Sequence, residues 1–185
     1  SADVAVPGSD LTFYKLNQKT EFYQPLNENQ TWVFRARSEI GYGDGYNGRS
    51  VMPFYEHFYA GGYGSVRGYE ANSLGPLATN APNDFSDPDP FGGSLLTEGS
   101  LELIFPTPFA GDIRSMRTAF FVDAGQVFDA DRNFDPALDE IRLSAGVGFQ
   151  WITAVGPLAF SLAKPLNDKS GDETQVFQFS LGQTF

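Results

Sequence analysis

The chain has one histidine and no cysteine, which leaves little with which to do nucleophilic chemistry. His57 has no thiol to activate and stands in no serine-elbow context. A disulfide scaffold and a thiolate metal site are excluded. Gly43-Asp44-Gly45-Tyr46-Asn47-Gly48 has the letters of a dinucleotide fingerprint, but no helical pattern follows whose N-terminus could hold a pyrophosphate. It reads as a glycine-rich loop. Asp129, Asp131 and Asn133, with Glu140 at the twelfth place, have the oxygen-ligand spacing of a calcium loop. Phe134 occupies the position where that loop turns sharply on a glycine, and Pro136 follows, so a solvated acidic loop is expected. No catalytic residue, cofactor or metal is expected, and the chain does not read as an enzyme.

Arg67 is different. The run Tyr59-Ala-Gly-Gly-Tyr-Gly-Ser-Val-Arg-Gly-Tyr69 sets it among glycines and aromatics, a composition that folds tightly and presses backbone against another surface. Ordinary exposed loops are polar, so this one suggests an ordered tongue packed against something. Glu102 lies between Leu101 and Leu103, and Asp123 follows Phe121 by two places. Both are expected to point inward, where an unpaired carboxylate is costly and a forked guanidinium could bridge the two. Arg35, Arg37, Arg117 and Arg142 are equally available as partners for these acids, and spacing leaves the choice open.

The elements that must position these residues are strands. Ile141, Leu143, Ala145, Val147, Phe149 and Trp151 alternate with Arg142, Ser144, Gly146, Gly148 and Gln150, a strict two-residue period. Phe177, Phe179, Leu181 and Phe185 alternate with Gln178, Ser180, Gly182 and Thr184. Trp32, Phe34, Ala36 and Ile40 oppose Arg35, Arg37 and Glu39. Strands are expected at about 2–6, 11–24, 31–42, 94–105, 115–127, 141–153, 157–165 and 174–185, most near the ~9–11 residues with which a tilted strand crosses a bilayer. Phe34, Phe120, Phe149, Phe177 and Phe179 should face lipid, and Arg35, Arg37, Glu102, Asp123 and Arg142 should face inward.

The connections alternate between short (Pro25–Gln30, Pro106–Arg114, Ala154–Gly156) and long (43–93, 128–140, 166–173). That is the loop rhythm of an outer-membrane barrel. Asp84, Asp87, Asp89, Asp129, Asp131, Asp135, Asp139, Glu140, Asp168, Asp172 and Glu173, 11 of the 23 carboxylates, are among those that lie in the long loops. Tyr23, Trp32, Phe105, Trp151 and Phe185 sit near short turns or the terminus, as one rim of an aromatic girdle. Over 185 residues, 12 basic against 23 acidic side chains give a formal charge of −11, and nucleic acid is not a partner. Fifteen per cent aromatic residues, 20 Gly and 12 Pro are strand-and-turn chemistry. No apolar run is long enough for a membrane helix, so any crossing uses strands. A soluble β-sandwich would show the same alternation.

Val66-Arg67-Gly68-Tyr69 resembles the VRGF/Y motif of the Omp85 superfamily. Met52-Pro-Phe-Tyr-Glu-His-Phe-Tyr-Ala-Gly-Gly62 before it, Phe121-Val-Asp-Ala-Gly125 after it, Gly156-Pro-Leu-Ala-Phe160, and Phe177-Gln-Phe-Ser-Leu-Gly-Gln-Thr-Phe185 at the end extend the resemblance along the chain. It implies an all-β, antiparallel up-and-down transmembrane barrel segment of about eight strands, residues 1–185 forming the C-terminal half of a sixteen-strand barrel. It implies that 43–93 is the sixth extracellular loop folded back into the lumen, with Arg67 contacting Glu102 and Asp123. It marks the last strand as one side of a lateral seam, with Gly182 at a kink and Phe185 as terminal aromatic. Tyr69 stands where the motif more often has Phe and adds a hydroxyl that needs a partner.

The implied activity is assembly and insertion of nascent outer-membrane proteins in a Gram-negative bacterium. A related pore that secretes a polypeptide through its lumen is the alternative. The implied partners are the outer-membrane bilayer, nascent outer-membrane clients, and accessory lipoproteins that dock on periplasmic POTRA domains not contained in this sequence. Beginning at Ser1 without a start methionine or signal peptide, the sequence reads as a mature product or an excised fragment. Eight strands closed alone leave no room for a tongue. Two copies associating edge to edge into a homodimer are therefore expected, against a monomeric closed barrel with 43–93 extruded.

Overall fold

The computed structural model describes residues 1–4, 12–46, 52–78, 88–108, 115–154 and 156–182. The chain runs β1 (Ala2–Val4), β2 (Phe13–Pro25), β3 (Val33–Gly45), β4 (Gly68–Tyr69), β5 (Leu95–Pro106), β6 (Met116–Phe128), β7 (Arg142–Thr153), β8 (Gly156–Pro165), β9 (Thr174–Gln175) and β10 (Phe177–Leu181). Eight of these form one antiparallel meander in the order β1-β2-β3-β5-β6-β7-β8-β10, and β4 pairs with β9 apart from it. Among the described residues no ladder joins β1 to β10, so the sheet is open. No described helix is long and apolar enough to cross a membrane, which leaves strands untouched as a means of crossing.

Register explains which side chains meet. Phe34, Leu103, Phe120, Val147, Leu162 and Phe177 are successive cross-strand partners, so they form one apolar row on one face. Three residues along, an odd step that changes face, Arg37, Ser100, Asp123 and Ser144 form a row on the other face. Burial is inverted relative to a water-soluble sheet: Phe120 is 54% exposed while Asp123 is 0% exposed. A sandwich buries its apolar face; this sheet leaves it bare and covers the polar one. Such a face is stable only against hydrocarbon.

The cover on the polar face comes from the described residues 52–78 of the 43–93 segment. Met52, Phe58, Ala60, Val66, Tyr69 and Leu74 from that segment pack with Leu96 of β5 and Val127 of β6 into a small core. Fully burying a Val or Leu contributes ~1.5–3 kcal/mol, so the tongue is anchored by packing as well as by charge. Glycines give it room. A Cβ on Gly125 would stand 2.8 Å from Val66 Cγ2, and one on Gly41 would collide with the Phe58 ring.

Several expectations change. The strand expected over 174–185 is divided: Thr174–Gln175 leave the main sheet to pair with the tongue, and only Phe177–Leu181 form a strand on β8. Residues 5–11 and 183–185 lie outside the described residues, so the ends of the strands expected at 2–6 and 174–185, and Phe185, are not located. β3 continues to Gly45 rather than ending at 42, because Phe13 and Tyr14 still offer partners there. This puts Gly43 and Gly45 of the apparent fingerprint inside a strand. Tyr23 does not join an outer girdle. It is the cross-strand partner of Arg35, and its ring lies against that guanidinium at 5.5 Å on the inner face. Trp32, Phe105 and Phe120 stack in sequence on the outer face, with centroids 5.2 and 5.1 Å apart.

Candidate functional site

The tongue reaches the sheet through a turn of special backbone. Gly61 and Gly62 have φ of 105° and 94° and Gly68 has φ of 94°, values that L side chains avoid. Gly62 N–H is shared between the carbonyl oxygens of Val66 at 3.2 Å and Tyr69 at 3.1 Å, and Ser65 Oγ accepts from Gly61 N–H at 2.8 Å. The same hydroxyl donates to buried Glu98. A side chain on Gly68 would also meet Ala163 and Ser144 Cβ atoms at 3.2 and 3.4 Å. Val66-Arg67-Gly68-Tyr69 is thus pinned flat against β6, β7 and β8.

Arg67 is held by most of its donors. Nε and Nη2 grip Asp123 in a fork at 2.7 and 2.8 Å, and the backbone N–H adds a third bond to Asp123 Oδ2 at 3.1 Å. Nη2 also reaches Glu102 Oε1 at 2.7 Å and Ser100 Oγ at 3.2 Å. Ser100 Oγ in turn donates to Asp123 Oδ1 at 2.6 Å. The guanidinium lies 3.5 Å from the Phe121 ring centroid, a stacked geometry that arginine tolerates well.

The network continues. Glu102 Oε2 accepts from Arg35 Nη1 at 3.0 Å, and Arg35 Nη2 reaches Glu21 at 3.2 Å. Signs alternate along Glu21, Arg35, Glu102, Arg67 and Asp123, so each cation sits between two anions. Both acids are met by Arg67, and Glu102 is shared with Arg35. Arg37 instead donates to Ser65 O at 3.3 Å, and Arg142 pairs with Asp172 at 2.5 Å and Glu140 at 3.4 Å. The register accounts for this: Arg35 is the direct partner of Glu102, and Ser100 of Asp123. Arg67 enters from above, between the two carboxylates.

The remaining candidates have structural surroundings. His57 ring nitrogens lie 3.1 Å from Phe91 O and 3.2 Å from Met52 O, joining the two ends of the tongue. Asp129 accepts from Asp131 N–H and caps a short 3-10 turn that ends at Asn133 with φ of 57°; burial raises its carboxyl above the ordinary value, against the Asp131 amide, which lowers it. Among the described residues no three acidic or histidine side chains converge as a metal site would require. Gly182 has φ of 89° directly after β10, and its N–H still donates to Pro157 O at 2.8 Å.

Sequence reasoning missed Gln178, whose Nε2 donates to Tyr69 O at 2.7 Å. Its place on the polar face of the last strand was the available signal. It also missed Ser65 with Glu98, which only the tongue's fold brings together.

The sequence pattern of the Omp85 superfamily domain matches residues 1–185. The chain belongs to the Omp85 superfamily. It is 37% identical to the outer membrane protein assembly factor BamA of Neisseria meningitidis serogroup B over 100% of its own length and 25% of that protein. To BamA of Nitratidesulfovibrio vulgaris it is 31% identical, over 96% of the chain and 21% of that protein. A sorting and assembly machinery component 50 homolog of Xenopus laevis is 28% identical over 96% of the chain. Among solved structures, Haemophilus ducreyi BamA lacking POTRA domains 1–3 superposes with a TM-score of 0.86 at 38% identity, over 96% of this chain and 36% of that one. The chain therefore spans about a quarter of the Neisseria meningitidis relative it matches.

Proposed function

We propose that this Omp85 chain is the C-terminal transmembrane part of a Gram-negative outer-membrane assembly factor, and that it helps insert nascent outer-membrane proteins. In this reading residues 43–93 are an inserted loop latched inside the barrel by Arg67, Glu102 and Asp123, and β10 with Gly182 belongs to a lateral seam. An edge strand presents unpaired N–H and C=O groups that template a client strand. Its surroundings must keep that edge both open and aligned. Clients, the bilayer and accessory lipoproteins docked on periplasmic domains are the partners. Two copies of this segment alone would pair edge to edge, since an open edge in lipid leaves backbone groups unsatisfied; a monomeric mass in detergent removes that part of the reading.

The observation that carries the reading is the match to assembly factors along the whole chain, on a sheet whose bare face is apolar and whose covered face is charged. Reconstitution tests it. Vesicles holding the intact protein should speed the conversion of an unfolded client barrel to its protease-resistant form. Passage of a polypeptide into the vesicle lumen without client insertion would select a secretion pore instead.

A further inference from the structure

The tongue turn is held to the sheet in several places, and the contact nearest the seam contains no charge. Arg67 grips β5 and β6. The Tyr69 hydroxyl donates to Leu143 O on β7 at 3.3 Å. Gly68 and Tyr69 then pair with Thr174 and Gln175, Glu70 N–H donates to Glu173 O at 2.9 Å, and Gln178 donates to Tyr69 O. The tongue thus reaches from Arg37 of β3 to Gln178 of β10.

Gln178 is 4% exposed and stands between Phe177 and Phe179, which point the other way. Its amide orientation follows from Tyr69 O at 2.7 Å, a backbone carbonyl that can only accept, so the nitrogen must face it; Gln175 Oε1 lies 3.5 Å away. Oε1 is buried and accepts nothing among the described residues. All of this side chain's hydrogen bonding therefore runs to the tongue and its paired strand. Between the tongue and β10 lies a cleft of about 340 Å³, and Gln178 lines it together with Gly62, Tyr63, Ala71 and Gln175.

Among the described residues the ladder of β10 with β8 runs over five residue pairs, Phe177↔Leu162 to Leu181↔Leu158, flanked by bonds from Ala163 N–H to Val176 O and from Gly182 N–H to Pro157 O, whereas β7 and β8 share ten, Ser144↔Pro165 to Thr153↔Gly156. We propose that Gln178 is the positioning residue that ties the edge strand to the tongue, so that the tongue sets how β10 is presented to a client strand. The client half of this inference rests on the assembly reading above. The tie itself does not.

The test is hydrogen exchange on the intact protein in lipid vesicles, comparing the amides of 174–181 with those of β5 and β6. Gln178→Met keeps the length and removes the donor. It should raise exchange at 174–181 about fivefold, the order expected for one net hydrogen bond, with 95–106 and 116–128 unchanged. Gln178→Glu supplies a second measurement. At neutral pH its carboxylate faces the Tyr69 carbonyl oxygen, which can only accept, and loosens 174–181; once protonated it donates again and tightens them. Unchanged exchange in both variants, or an equal rise in every strand, overturns the proposal, as does a Glu variant with no pH dependence. If the wild-type protein inserts no client, the assembly reading fails while the exchange result still decides the tie.

Discussion

The Arg67 latch and the β10 end are both contacts of one tongue turn, and they are built by opposite means. At the latch a guanidinium with two carboxylates, a serine and an aromatic ring is almost dry: Arg67 is 3% and Glu102 3% exposed. At the β10 end a neutral amide, two strand pairs and one further backbone hydrogen bond do the holding. Charges buried together are intolerant of partial loss, because whichever partner remains is stranded. Neutral hydrogen bonds each contribute about 1 kcal/mol net and can open singly. The difference separates a fixed point from a movable one: the tongue cannot leave β5 and β6 cheaply, but it can release β10.

The largest expected effect breaks the fixed point. Arg67→Ala should cost ~3–5 kcal/mol in the intact protein, since Asp123 and part of Glu102 are left buried without a cation. Arg67→Lys should recover only part of this, because one ammonium cannot reproduce the fork. Arg132→Ala is the control. Its guanidinium lies over the Phe91 ring at 3.4 Å in an acidic loop, an arrangement contributing ~0.5–1 kcal/mol when exposed. Equal melting temperatures for the Arg67 and Arg132 alanine variants would remove the latch.

Next comes overfilling. Gly125→Ala places a methyl 2.8 Å from Val66 Cγ2 and 3.0 Å from Thr97 O, so the tongue or β5 must shift at a cost of ~1–3 kcal/mol. The variant should melt earlier and expose the tongue to protease. Retained protease resistance would mean that the tongue has slack over β6.

The eight strands of the main sheet and the face that most of their side chains take were legible in the sequence, because a two-residue period needs only alternation, and Leu101-Glu102-Leu103 states it without help. The acids Glu102 and Asp123 were visible as inward carboxylates for the same reason. Which cation meets them was not legible from spacing. Arg35 and Arg67 both do, and the second depends on a turn whose path no local pattern encodes. The division of the last strand escaped too. Thr174 and Gln175 fit a strand equally well in either sheet, and the partner that draws them away, Gly68–Tyr69, lies over a hundred positions earlier. Tyr23 was misplaced because nearness to a turn was given more weight than parity with Arg35.

A smaller effect concerns the hydroxyl that distinguishes Tyr69 from phenylalanine. Tyr69→Phe removes its bond to Leu143 O and keeps the ring, whose burial is the larger part of its contribution. The expected loss is about 1 kcal/mol, seen as faster exchange where β7 meets the tongue, with the latch intact. A loss as large as that of Arg67→Ala would mean that the two regions are a single unit.

The smallest effect lies beyond the strands, where 138–142 and 166–173 meet. Glu140 pairs with Lys169 at 2.8 Å and with Arg142 at 3.4 Å, and Asp172 holds Arg142 and the Lys169 backbone N–H, the latter at 2.7 Å. The Lys169 ammonium, with Arg142 behind it, holds the Glu140 carboxyl below its ordinary value of 4.5. For an acid whose folded value is depressed, the stabilisation is complete above the unfolded value and is lost as pH falls through the folded one. The loop contact should therefore be constant from neutral pH down to the ordinary carboxylate range, then loosen with further acid. It should also weaken with salt, because solvent-exposed charges are screened over a Debye length of ~8–10 Å, and its size should stay below ~1 kcal/mol. Exchange at 138–142 and 166–173, read against pH with and without Lys169→Met, checks this. In the Lys169→Met protein the acid loosening should begin at higher pH, while 67–69 stays as protected as before. A pH profile that the lysine does not move would assign the loop contact to Arg142 and Asp172 alone.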